Sequence, residues 1–258
     1  MLRPLSHAAL ALAAAAAWSA LALALLQAAG PVWSLYPPAT CLGSHCFCEQ
    51  PRTGALLLQP ANTISSLGFI LVGAWIMLDG VNARHRALGI VPTMAMGFCA
   101  IVIGMGSVML HATLTLWGQF ADVFGMYLLG SFLVAWAARR ALGLGDAAAL
   151  ALYVGLAGTL TALLWIAPET RRWLFALVLV AAIAIEWGLA RPRRPGVRPG
   201  LFLAGLAANA LAFALWIPDQ TLALCDPRSL LQGHAAWHLL GAAALALSFA
   251  YFRGERRA

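Results

Sequence analysis

The sequence contains no lysine: all sixteen of its basic residues are arginines. Charge of either sign is scarce, at 10% of 258 residues, where a soluble domain carries about 25%. With 62% of its residues hydrophobic, a water-soluble fold of this length would lack the polar surface to cover itself. No segment alternates apolar and polar residues over the length of a strand, which excludes a membrane β-barrel. The pattern has neither inverted repeats nor interrupted mid-membrane helices, and this argues against a transporter. A net charge of +7 invites a nucleic-acid reading, but the arginines sit in short loops between apolar segments and form no patch.

What is present is a series of apolar runs near the ~20 residues that a helix needs to cross a bilayer. Eight can be marked: His7–Ala29, Ala61–Leu78, Ala87–His111, Phe120–Ala138, Ala147–Ala167, Trp173–Ala190, Leu201–Ile217 and Leu231–Phe252. The fold class is therefore all-α, a polytopic helical membrane protein with a seven-helix core and one extra N-terminal helix. That first run exceeds the roughly 7–15 residues of a secretory h-region, and no clear cleavage site follows it, so it reads as a retained helix over a signal peptide. The chain divides into an N-terminal helix or signal anchor (1–29), an outer segment (30–60) and the seven-helix core with a short cytoplasmic tail (61–258). Gly104, Gly106, Gly125, Gly155 and Gly158 stand at spacings expected of close helix contacts.

With the N-terminus inside, only four arginines fall in outer loops: Arg52, Arg171, Arg172 and Arg228. The other twelve are inside, a bias that orients the chain and requires eight spans, or seven if the first is cleaved. Cys41, Cys46, Cys48 and Cys225 all fall on the outer, oxidising side, whereas Cys99 lies within a span. Four outer cysteines allow three pairings, and free thiols are the alternative. A bond between Cys48 and Cys225 would tie the first outer loop to the last.

An ionisable residue inside a span costs roughly 2.5–3.5 kcal/mol on insertion scales, so each needs a reason. Ser107 and His111 lie four apart near the outer end of the third run, and His234 and His238 four apart near the outer start of the last. Four-residue spacing places each pair on one helical face. Asp122 stands at the outer start of the fourth run. The arginine bias independently sets all five at one depth, a turn or two inside the outer leaflet. Three imidazoles and a nearby acid suit a catalytic zinc site with an open position. Taken singly, a His-x-x-x-His pair can also cap a helix, bond across a bundle or bind haem. Haem is disfavoured because its axial ligands approach from opposite sides.

Other polar residues call for simpler roles. Glu186 is expected to pair with Arg191 or Arg193, and Asp79 to mark the interface beside Arg84 and Arg86. Asn209, Thr159 and Thr161 are expected to join helices, and Trp117, Trp173 and Trp237 to form interfacial belts. His7 is placed near the inner headgroups, while His45 and His85 have no evident partner.

The stretch Ser107-Val-Met-Leu-His111, followed by Asp122 and then by Gly233-His234-Ala-Ala-Trp237-His238, resembles the alkaline ceramidase family. That family lies within a superfamily of seven-span hydrolases that includes the adiponectin receptors and lipid-anchor remodelling proteins. Cys48-Glu49 and Gln59-Pro-Ala-Asn62-Thr63-Ile-Ser65 are similar to the stretch leading into the family's first core helix, and the resemblance runs over about residues 46–252. It implies zinc ligation by His111, His234 and His238, proton transfer by Asp122, oxyanion stabilisation by Ser107, and a Cys48–Cys225 disulfide. The substrate implied is a lipid amide such as ceramide. A lipid esterase or remodelling hydrolase with the same centre, and a receptor-like protein with structural zinc, are the alternatives. The family also binds calcium, but Cys46, Pro51 and Gln59 stand where it has Asp, Asn and Glu. Glu49 is the one candidate calcium ligand retained, too few for six to eight oxygens, and Arg52 could neutralise it, so no calcium dependence is expected. The lack of lysine and the Ala/Leu/Arg richness suit a high-GC bacterial genome, an inner-membrane location and a site facing the periplasm. No protein partner is implied, and no nucleic acid.

Overall fold

The computed structural model describes residues 4–30, 32–44, 46–81, 87–190 and 196–255. Among these, nine α-helices follow in order: α1 Pro4–Ala29, α2 Pro60–Ser65, α3 Leu67–Gly80, α4 Ile90–Thr113, α5 Leu116–Leu142, α6 Asp146–Ile166, α7 Arg171–Ala184, α8 Pro199–Gln220 and α9 Gly233–Gly254. A π-helical turn, Ile185–Ala190, extends α7. α2 and α3 meet at Ser66 and together make one span, so eight helical segments are long and apolar enough to cross a membrane. The protein is a polytopic all-α membrane protein. A spanning helix satisfies its backbone internally, which is why each apolar run becomes a helix.

α4 is the axis of the bundle, largely buried, with α3 on one side and α5 on the other. Glycines allow both contacts. A Cβ on Gly97 would lie 2.8 Å from the Gly73 carbonyl of α3, and one on Gly125 would lie 2.7 Å from the Ile103 nitrogen of α4. Gly104 and Gly106 are equally close to α3 and α5. Gly155 and Gly158 depart from the expectation: nothing lies within 4 Å of a Cβ on either, because α6 is peripheral and turns most of its surface outward. Thr159, on the same helix, is exposed, and the Thr161 hydroxyl donates to Ala157 O of its own helix at 2.7 Å instead of joining two helices. α1 packs along α3 through Ala15, Ile70 and Ala74. Trp117 and Trp173 are exposed, as belt residues would be, whereas Trp237 packs 4.5 Å from Phe213.

The inner end is closed by charge. Arg140 of α5 binds Glu186 in the π-helical turn and Glu255 after α9, the latter at 2.7 Å. The Tyr251 hydroxyl also donates to Glu186. The expected partners of Glu186, Arg191 and Arg193, lie outside the described residues; the partner found is buried Arg140, which α5 brings to the same depth. Asp79 pairs with Arg253 at 3.2 Å, and Arg84 and Arg86 are likewise outside the described residues, as are His45 and His85.

At the outer end, the segment before α2 folds over the α4–α5 turn. Leu114 takes a left-handed conformation (φ 49°) and ends α4. The terminal carbonyls that a helix leaves unpaired are then used by the outer segment: Leu58 N–H donates to Ala112 O and Gln59 N–H to His111 O, both at 2.9 Å. Cys41 is bonded to Cys46, and Cys48 to Cys225. Of the three pairings open in the sequence, this one ties the outer segment to the α8–α9 loop. Cys99 is free and buried.

Candidate metal centre

Four helical segments converge beneath this outer cover. The last turns of α4 carry Ser107 and His111, and the first turns of α9 carry His234 and His238. α2 adds Ser65, and the start of α5 adds Asp122. The three histidines are buried, and their ligand atoms lie within 4.8 Å of one another. His111 Nε2 and His234 Nε2 are 3.1 Å apart, and His238 Nε2 is 3.2 Å from Ser107 Oγ.

Hydrogen bonds on the far ring nitrogens assign two tautomers. The Gln59 carboxamide donates through Nε2 to Glu49 O at 2.7 Å, which turns its Oε1 to His111 Nδ1 at 2.9 Å. A carbonyl oxygen only accepts, so His111 carries its proton on Nδ1 and directs the Nε2 lone pair inward. Ser65 Oγ lies 3.0 Å from Asn62 O and 2.9 Å from His238 Nδ1; with its one proton on the carbonyl it accepts from the ring, and Asn62 O also faces the protonated ring. His238 Nε2 is thereby a second inward lone pair. His234 Nδ1 is buried and has no partner among the described residues.

This donor set fits zinc. Tetrahedral ligation with bonds of about 2.05 Å places nitrogens about 3.3 Å apart, close to the observed 3.1 Å. Imidazoles whose outer nitrogens are held by neighbours are the usual form of such ligands.

Asp122 borders the cluster on the Ser107 side. Its carboxylate interacts with the Ser107 hydroxyl and with the charge of Arg171, and its backbone is packed against Gly106. The residue as a whole is half-buried. The five residues singled out in the sequence thus meet, drawn from three helices.

Several participants carried no assigned role in the sequence reading. Asp219, at the end of α8, is buried and accepts from His234 N–H at 3.1 Å and Cys48 N–H at 3.2 Å. It is an acid at the outer end of a span, and the cost argument that singled out Asp122 applies to it equally. Gln59, Ser65 and Phe47 bear on the histidines only through tertiary contact, which no spacing encodes. The Phe47 ring stacks on His234 at 3.9 Å and lies 4.8 Å from His111.

A family model described as Ceramidase matches residues 52–256. The chain belongs to the ceramidase family. None of the curated proteins compared with it matches the chain. The ceramidase match runs from the outer segment through α9, leaves α1 outside, and takes in all three histidines, Ser107, Asp122 and Asp219. Membership supports a hydrolase of the ceramidase kind, acting on a lipid amide.

The calcium expected of alkaline ceramidases does not fit the residues around Glu49. Its two carboxylate oxygens already accept from Ala61 N–H (2.8 Å) and Asn62 N–H (2.9 Å), at the start of α2. Cys46 is consumed in a disulfide, Pro51 has no side-chain oxygen, and the Gln59 oxygen faces His111. Burial pushes the Glu49 carboxyl above its ordinary range, opposed by those two N–H groups and by Arg52.

Proposed function

We propose that this ceramidase-family protein is a zinc-dependent, membrane-embedded amidase that cleaves ceramide or a related lipid amide. The observation that carries the reading is the buried histidine trio, with two Nε2 lone pairs held inward by Gln59 and Ser65. Residues 61–258 make the catalytic core, 30–60 its outer cover, and 1–29 an added membrane helix. The location proposed is a bacterial inner membrane with the centre toward the periplasm.

His111, His234 and His238 would hold the zinc. Bound there, zinc supplies Lewis acidity to the amide carbonyl and brings water toward ionisation near neutral pH. Asp122, beside the Ser107 hydroxyl, takes a proton from the attacking water and returns it to the leaving amine. Water is thus divided between the acid and amine products. Ser107 donates its hydroxyl to the oxyanion that develops on the carbonyl. The depth of the centre suits a substrate whose tails stay in the bilayer.

The test is metal analysis of the purified protein together with assays on lipid amides and esters. Near-stoichiometric zinc, with amide cleavage lost in both Asp122→Asn and His234→Ala, is the expected result. Asp122→Asn should keep its zinc and lose about 10²–10⁴-fold in kcat; full activity in that variant would overturn the assignment of Asp122. Cleavage of esters alone would replace the substrate class, and protein without zinc would remove the centre.

A further inference from the structure

The segment Cys46-Phe47-Cys48 lies between the outer water and the histidines. Cys46 is bonded to Cys41, and Cys48 to Cys225, so both neighbours of Phe47 are covalently fixed. Cys48 N–H and His234 N–H share the two oxygens of the Asp219 carboxylate. Phe47 and His234 therefore hang from one buried side chain, and the ring lies flat on that imidazole, at 26° between planes. A further bond, Gln50 N–H to Pro227 O at 3.0 Å, fastens the same segment to the α8–α9 loop.

Outside this layer is a cavity of about 310 Å³ bordered by Leu42, Phe47, Glu49, Gln59, Leu222 and Pro227. Among these border residues, Phe47 and Gln59 also touch the histidines. Gln59 is clamped by its bonds to Glu49 and His111, whereas the ring of Phe47 rests on the imidazoles by stacking. On the membrane side α7 packs along α5 and α8 along α9, and the α7 and α8 backbones stand apart, bridged by Arg172, which donates to Gln220 Oε1 at 3.2 Å and lies over the Trp216 ring.

We propose that Phe47 is a specificity-determining residue that closes the aqueous approach to the histidine centre, held shut by Asp219 and the Cys48–Cys225 bond. Water-soluble amides are excluded by it, and lipid amides reach the centre from the bilayer. The effect on substrates rests on the amidase reading above; the closure itself does not.

The experiment uses the full-length protein in lipid nanodiscs and compares wild type with Phe47→Ala, Phe47→Leu and Asp219→Asn. The first readout is deuterium exchange at the imidazole C2 position of His234 in D2O, measured by mass spectrometry, which needs neither metal nor turnover. Phe47→Ala and Asp219→Asn should accelerate it about tenfold, the effect of roughly 1.4 kcal/mol on a closing equilibrium. Phe47→Leu, which keeps an apolar plug, should stay near wild type. Maleimide labelling of buried Cys99 reports on the rest of the bundle and should not change. The second readout is the rate at which EDTA strips zinc from loaded protein, expected to rise in the same two variants. The third is the ratio of kcat/KM for a soluble short-chain amide to that for a long-chain ceramide, expected to rise in Phe47→Ala. Equal exchange at His234 in wild type and Phe47→Ala, or a rise matched by labelling of Cys99, would overturn the proposal. A wild type inert toward lipid amides, with His234 still exposed by Phe47→Ala, would uphold the closure and discard the amidase reading.

Discussion

Gln59 shows how a neutral side chain can set the chemistry of a neighbour. Its amide has a donor and an acceptor, and the structure uses one on Glu49 O and the other on His111 Nδ1. Gln59→Leu removes both, frees the His111 ring and should weaken zinc binding by about 10–100-fold, read by competition with a chelator of known affinity. Glu49 illustrates the opposite balance. Its carboxylate caps the start of α2, yet burial is the larger influence and raises its pKa above the ordinary 4.5. A carboxyl whose folded pKa exceeds its unfolded one stabilises the protein most below the unfolded value, and that contribution is lost as pH rises through the folded value. Wild type should therefore lose stability relative to Glu49→Gln as pH rises above 4.5, measured as the difference between their melting temperatures. A slope of the opposite sign would mean that the N–H bonds outweigh burial.

Among the helices, small residues decide which pairs touch. The α4 contacts leave no room for a methyl group: a Cβ on Gly106 would lie 2.7 Å from Asp122 N, and one on Gly125 2.7 Å from Ile103 N. Gly106→Ala and Gly125→Ala should each cost about 1–3 kcal/mol through overpacking, read by thermal unfolding in detergent. Gly158→Ala meets nothing within 4 Å, and should be neutral or stabilising by up to about 1 kcal/mol, since alanine favours the helix. Both kinds of glycine lie in equally apolar runs. Their difference comes from the place of α4 at the axis and of α6 at the rim.

Across the whole molecule, the outer cover is joined to the core by covalent and polar links between segments far apart in sequence. The Cys48–Cys225 bond spans 177 residues, whereas Cys41–Cys46 spans 5. Closing a longer loop restricts the unfolded chain more, so Cys225→Ser should destabilise by about 2–5 kcal/mol and Cys41→Ser by less. Melting curves with and without reductant check the order. If the short loop proved the more costly to open, chain entropy would not be the governing effect. The inner end is organised by contacts of similarly long range, with Arg140 joining Glu186 and Glu255 from three separate segments.

The sequence by itself determined the membrane class and the eight apolar spans, and it placed Ser107, His111, Asp122, His234 and His238 toward one end of their helices. These follow from hydropathy and four-residue spacing, both of which act locally along the chain. Tertiary structure decided the rest. Helix packing chose Arg140 for Glu186, and a glycine contact was formed at Gly125 and left unformed at Gly158. The disulfide pairing, the Gln59 clamp and the Asp219 bridge join residues from different segments, so their partners are settled only when those segments fold together. A residue's depth in the bilayer is set by its own helix, but its hydrogen-bond partner is set by the neighbour that packing brings alongside.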